Sequence, residues 1–120
     1  MAAGLTDHMG SLREVFLYGL MFWFKLMHTH PDQRWTVEEL ARAAAISRSA
    51  LAQRFTTLIG EPPMQYLQGW RIQLAKSLLG ETNLSLTEIA RRTGYESEAA
   101  FNRAFKRQVG QPPATWRRTV

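Results

Sequence analysis

A chain of 120 residues that is 45% hydrophobic is expected to form one compact unit, with apolar content for one modest core and not for two. It contains no cysteine, so a disulfide framework and a thiolate metal site are excluded, and a reducing cytosol suits it. The net charge of +5 is unevenly spread: residues 1–34 are neutral, 35–83 carry +1, and 84–120 carry +4 from seven Lys and Arg against three Glu, an electrostatic footprint for a polyanion.

The lead-in, residues 1–34, has no charged n-region, apolar h-region and cleavage site in succession. Its longest apolar run, Val15 to Phe24, is too short to span a bilayer. A soluble, cytoplasmic protein with no membrane partner is expected. The stretch LREVFLYGLMFWF, from Leu12 to Phe24, reads as part of a helix over 11–28 that is apolar on nearly every face and must be buried by something. One face can pack on the first subdomain, residues 35–61. Phe16, Phe22, Trp23 and Phe24 would leave an exposed patch that calls for a partner, either a homodimer contact or an effector domain. His8, His28 and His30 are not joined by a carboxylate or cysteine cluster, so no metal and no cofactor is expected. No Ser-His-Asp arrangement, glycine-rich phosphate loop or inward carboxylate pair is recognisable, and an enzyme is not expected.

Residues 35–61 read as a helix-turn-helix. Thr36 and Glu39 have the spacing of a capping box, and Val37, Leu40, Ala41 and Ala44 share one face of a short helix. Ala45 and Ile46 occupy the turn, and Ser47 is the N-cap of a second helix whose apolar stripe is Leu51, Phe55, Leu58 and Ile59. Gly60 is the stop.

Residues 62–80 read as a linker helix. Pro63 suits the first helical position, where a missing N–H costs nothing. Leu67, Trp70 or Arg71, Leu74 and Leu78 recur at helical spacing, and Gly80 ends the run. Such a strut, roughly 25 Å long, is nearly sufficient to hold two recognition helices one DNA turn apart.

Residues 81–120 repeat the first unit and add a C-terminal helix. Phe55 recurs as Phe105, Gly60 as Gly110, Pro62-Pro63 as Pro112-Pro113, and Tyr66 as Trp116. Ser85 and Glu88 repeat the capping box; Leu86, Ile89 and Ala90 face inward; Gly94 makes the turn; Ser97 or Glu96 caps the next helix. Phe101, Phe105 and Val109 form its stripe. The offset between copies is 49 residues before the turn and 50 after it, so the second turn is one residue longer. Two copies with matching caps, anchors and Gly-x-Pro-Pro stops specify an all-α chain of two helix-turn-helix subdomains joined by a long central helix, plus an apolar N-terminal helix.

Opposite the apolar stripes, the second helices present Ser49, Ala52, Gln53 and Thr56 in the first copy and Ala99, Asn102, Arg103 and Lys106 in the second. Asn and Gln can pair with adenine, Arg with guanine, and an Ala or Thr methyl can touch thymine. The candidates for phosphate contact are Thr36, Arg48, Thr56, Ser85, Ser97, Lys106 and Arg107. Glu98 is unfavourable beside phosphate. Accepting from a cytosine amino group is one use for it, and capping its own helix is the favoured one.

SRSALAQRFTTLIGEPPMQYLQGWRIQLAKSLL and GYESEAAFNRAFKRQVGQPPATWR resemble the C-terminal DNA-binding domain of AraC/XylS-type bacterial transcription regulators, over roughly Leu26 to Arg118. The resemblance implies about seven helices and recognition helices in successive major grooves of double-stranded DNA. It carries over Ser49, Ala52, Gln53, Glu98, Ala99, Asn102 and Arg103 as base-facing residues. It also implies a nucleoid location and, often, activation through RNA polymerase. Most such regulators carry an effector or dimerisation domain ahead of this one. Only 34 residues precede the first copy here, so a stand-alone type or a fragment is expected. A protein-interaction module that keeps the scaffold without the DNA contacts is the alternative, favoured by the apolar helix and the near-neutral first copy.

Overall fold

A computed structural model of the chain describes the backbone of residues 12–120 and the side chains from Met21 onward. Among these residues there are seven helices and no strand: α1 (Leu12–Thr29), α2 (Val37–Ala43), α3 (Arg48–Ile59), α4 (Pro63–Glu81), α5 (Leu86–Arg92), α6 (Glu98–Val109) and α7 (Pro113–Thr119). They fall into two compact units, each with its own buried residues, rather than the single unit expected from length and composition. One holds α1 with Trp35–Pro63, and the other holds His30–Arg34 with Met64–Val120. No described helix is long and apolar enough to cross a membrane.

In the first unit, Thr36 accepts from the Glu39 N–H at 3.1 Å and Ser47 from the Ala50 N–H at 3.1 Å, so both helix starts are capped where their sequence places them. Gly60 ends α3 in the left-handed region at φ 95°, with its N–H on the Thr56 carbonyl. Leu40, Ala41, Leu51 and Phe55 are buried, and α1 adds Trp23 and Met27. The Trp23 and Phe24 rings lie 6.0 and 5.9 Å from that of Phe55. Trp23 is therefore core and Phe24 is half-buried, contrary to the expected exposed patch. Positions 23, 24 and 27 share the inward edge of α1, and among its described side chains the large apolar ones left exposed are Met21 and Phe22. Phe16 lies outside the described side chains, and Ser11 and His8 outside the described residues altogether.

The second unit is built on Ile72, Ala75, Leu79, Ile89, Ala90, Phe101 and Phe105, with Trp116 of α7 packed 5.9 Å from Phe105. Ser85 and Ser97 cap α5 and α6 through the Glu88 and Ala100 N–H groups, and Gly110 closes α6 at φ 97°. The choice between Ser97 and Glu96 is thus settled for Ser97. The turn at 44–47 is followed in the second copy by one at 93–97, one residue longer, as the offset requires.

The buried edge of α4 is Leu67, Ile72, Ala75 and Leu79, while Trp70, Arg71, Leu74 and Leu78 are half-buried at its flanks. One expectation about α4 is corrected. Gly80 does not stop it, because Gly80 keeps a right-handed φ and the helix runs to Glu81. Arg117 of α7 closes this end instead, donating to the carbonyls of Leu79 at 3.1 Å and Thr82 at 3.4 Å. A cation there also faces the negative end of the helix dipole.

Segment 30–34 is held by Arg71, whose Nε donates to the Pro31 carbonyl at 3.2 Å and whose other guanidinium nitrogen donates to that of Gln33 at 2.8 Å. Gly94 makes room for this contact. A Cβ there would lie 2.4 Å from the Pro31 oxygen and 2.8 Å from Arg71 Nε, and Gly94 has φ 88°.

The two turns give opposite predictions for one type of change. Gly94→Ala meets both the backbone clash and the left-handed strain, and should destabilise by about 3 kcal/mol. Ala45 already has φ 56°. Ala45→Gly relieves that strain against a smaller gain of unfolded-chain entropy, and should stabilise by about 0.5 kcal/mol. Urea unfolding of both variants checks the pair.

Candidate nucleic-acid interface

The apolar edge of α6 decides what its other edge offers. With Phe101 and Phe105 fully buried, Ala99, Arg103, Lys106 and Arg107 are exposed along the opposite side, together with Glu98 in the first turn. Asn102 sits lower: it is half-buried, and its Oδ1 is enclosed with no hydrogen-bond partner. Arg103 is therefore the more exposed of the two. On α3, Ser49, Gln53 and Thr56 are exposed and Ala52 is half-buried. Gln53 lines a shallow recess with Arg54, Thr57 and Leu58. No acidic side chain stands on α3.

Charge is narrower than the sequence suggests. Arg91 and Arg92 are shared by Glu88: Arg92 Nε lies 2.9 Å from its Oε2, Arg91 Nε lies 3.3 Å from Oε1, and a second Arg91 nitrogen meets Oε2. The side-chain hydrogen bonds from Arg91 and then Arg92 hold the Glu88 carboxyl at about 2, well below its ordinary value. Arg117 is half-buried on the carbonyls of α4. Arg103, Lys106 and Arg107 form no ion pair among the described residues, so the positive potential of the second unit gathers on α6.

The phosphate candidates divide in the same way. The hydroxyls of Thr36, Ser85 and Ser97 accept from their own helix backbones, which leaves the O–H of Ser85 and Ser97 to donate while that of Thr36 turns to Glu39; Lys106, Arg107, Thr56 and Arg48 carry open donors or exchangeable ones. Arg48 pairs with Glu38 at 3.0 Å, but both side chains are more than half exposed. Such a pair is worth roughly 0–1 kcal/mol, so Arg48 can trade its partner for a phosphate. Neither capping box is complete. Glu39 meets only the Thr36 hydroxyl, at 3.4 Å, and Glu88 turns outward to its arginines.

Glu98 does not cap its helix, since Ser97 does; it accepts instead from the Thr87 hydroxyl at 2.7 Å. Sequence reasoning missed Thr87. The signal was present in the 49-residue offset, which makes Thr87 the counterpart of Glu38, as the 50-residue offset makes Glu98 the counterpart of Arg48. His28, one of the three histidines, stacks on Phe24 at 5.6 Å, and burial pushes its pKa down. Among the described residues no group of three His, Cys, Asp or Glu could hold a metal ion.

A family model described as a helix-turn-helix domain matches residues 40–119. An AraC-like transcription regulator of Streptomyces lividans is 48% identical over 92 residues, covering 77% of this chain and 30% of that protein. The transcriptional regulator AlkR of Acinetobacter baylyi is 44% identical over 91 residues, covering 76% of this chain and 30% of that protein. The chain thus spans about 30% of the length of these curated relatives. Among solved structures, the DNA-binding domain of the global transcriptional factor AdpA, in complex with a target DNA, superposes with a TM-score of 0.80 at 34% identity, over 84% of this chain and 91% of that one. The C-terminal domain of the response regulator yesN from Fusobacterium nucleatum gives a TM-score of 0.79 at 27% identity, over 83% and 98%.

The Glu88 pair sets a pH dependence. Its folded pKa lies below its unfolded one, so its contribution to stability is full above about 4.5 and is lost as pH falls toward about 2. A carbon-detected NMR titration should place the Glu88 midpoint near 2 in the parent and near 4.5 once Arg91 and Arg92 are both alanine.

Proposed function

This chain belongs to the AraC-type helix-turn-helix family, and on that premise we propose that it is a sequence-specific DNA-binding transcription regulator. In this reading α3 and α6 each enter a major groove of double-stranded DNA, in succession along one side of the duplex. The observation that carries it is the outer edge of α6, where Arg103, Lys106 and Arg107 are exposed and unpaired by any described carboxylate. A 12-residue helix is roughly 18 Å long and fits a groove about 12 Å wide. The likeness to the AdpA domain, whose structure holds target DNA, supports the same use.

Within that reading the residues divide by chemistry. Arg103 has the fork that matches the two acceptors of guanine, and Gln53 the amide that matches adenine. Ser49, Ala52 and Ala99 are small enough to let the backbone approach the bases. Lys106, Arg107, Arg48 and Thr56 meet phosphate, which fixes register without reading sequence. The exposed Met21 and Phe22 of α1 support an apolar contact there with a second copy or an effector domain. Activation through RNA polymerase and a cytoplasmic, nucleoid-associated location complete the proposal.

The test is a titration of a duplex of about 25 base pairs, long enough for two half-sites one turn apart, at several salt concentrations. Arg103→Ala should cost about 1–3 kcal/mol and relax the preference at one base pair. Lys106→Ala should weaken all sequences alike and lower the salt slope by about 1. Unaltered affinity in the double variant would falsify the assignment of α6 as the reading helix.

A further inference from the structure

In both copies the second residue of the first helix holds the first residue of the second helix. In the first copy Glu38 holds Arg48 at 3.0 Å, and in the second Thr87 donates to Glu98 Oε1 at 2.7 Å. The register is the same and the chemistry is exchanged. A cation ends at the start of α3, and an anion ends at the start of α6.

We propose that Thr87 is a positioning residue that holds Glu98 as a cytosine-selective acceptor, an inference that rests on the DNA-binding reading above. Three observations lead there. Ser97 already caps α6 through the Ala100 N–H, so the Glu98 carboxylate is not needed as a cap. Both Thr87 and Glu98 are exposed, and an exposed hydrogen bond adds little net stability, so its main effect is on where the carboxylate stands. Thr87 satisfies Oε1 and leaves Oε2 with no partner among the described residues.

A carboxylate only accepts hydrogen bonds. In the major groove, guanine offers N7 and O6 and thymine offers O4, all acceptors that repel it. Adenine places its amino donor beside the N7 acceptor. Cytosine presents the N4 amino group as a donor with no acceptor on its own edge, so a fixed carboxylate selects it. A carboxylate free to swing would avoid the phosphates and lose that selectivity. Holding it by a hydroxyl adds no charge of its own, whereas a basic residue at position 87 would neutralise the discriminating group.

The experiment selects bound sequences from a random duplex pool, at fixed salt, with the full 120-residue chain and its Glu98→Gln, Thr87→Ala and Thr87→Ser variants. The parent should favour cytosine about tenfold at one position of one half-site. Glu98→Gln should broaden that position, since an amide both donates and accepts. Thr87→Ala should weaken the preference severalfold with an unchanged unfolding midpoint, and Thr87→Ser should keep it. A Thr87→Ala profile equal to the parent's overturns the role of Thr87 while leaving DNA binding intact. Tighter binding by Glu98→Gln with no change at any base shows a merely repulsive carboxylate and overturns the proposal. Absence of parent binding overturns the DNA-binding reading beneath it.

Discussion

Two seven-residue helices, α2 and α5, are too short to stand by themselves in water, because so few turns cannot offset the cost of helix nucleation. Each packs against the helix that follows it, and that helix carries a fully buried phenylalanine. Phe55 and Phe105 stand fifty residues apart at the same register, both with no exposed surface. Once that ring is fixed, the rotation of α3 or α6 about its own axis is fixed too. The side chains on the far edge are then presented in a set order. The exposed face of each helix is in this sense a by-product of the core.

The two units satisfy the same requirement with different third partners. The first closes over Phe55 with Trp23 and Phe24 of α1. The second closes over Phe101 and Phe105 with Ile72, Ala75 and Leu79 of α4 and with Trp116 of α7. Of the described side chains of α1, Trp23, Phe24 and Met27 are therefore apolar for packing, and Met21 and Phe22 stay exposed.

Local chemistry was legible in the sequence. Thr36, Ser47, Ser85 and Ser97 cap helices through N–H groups three residues on, and Gly60 and Gly110 take the left-handed stop. Each of these depends on only a few neighbouring residues. What was not legible depends on distance. Arg71 and Arg117 donate to carbonyls 35 to 40 residues away, and no spacing rule announces such partners. The buried edge of α4 was not read from the sequence, because apolar side chains occur around much of that helix and pattern alone does not choose an edge. At the interface, the residues facing away from the core followed from periodicity. The pairing of Arg91 and Arg92 by Glu88 and the hold of Thr87 on Glu98 did not, since charge counts do not record who is paired.

Arg71 grips segment 30–34 by its backbone, through the carbonyls of Pro31 and Gln33, and Gly94 supplies the space. Main-chain oxygens are the same whatever residue carries them. Pro31 and Gln33 are thus anchored through groups that every residue carries. The sequence requirement of this hold falls on Arg71 and Gly94, whereas Trp35 and Thr36 further along the same connection are fixed by their own side chains, one in the core and one as the cap of α2.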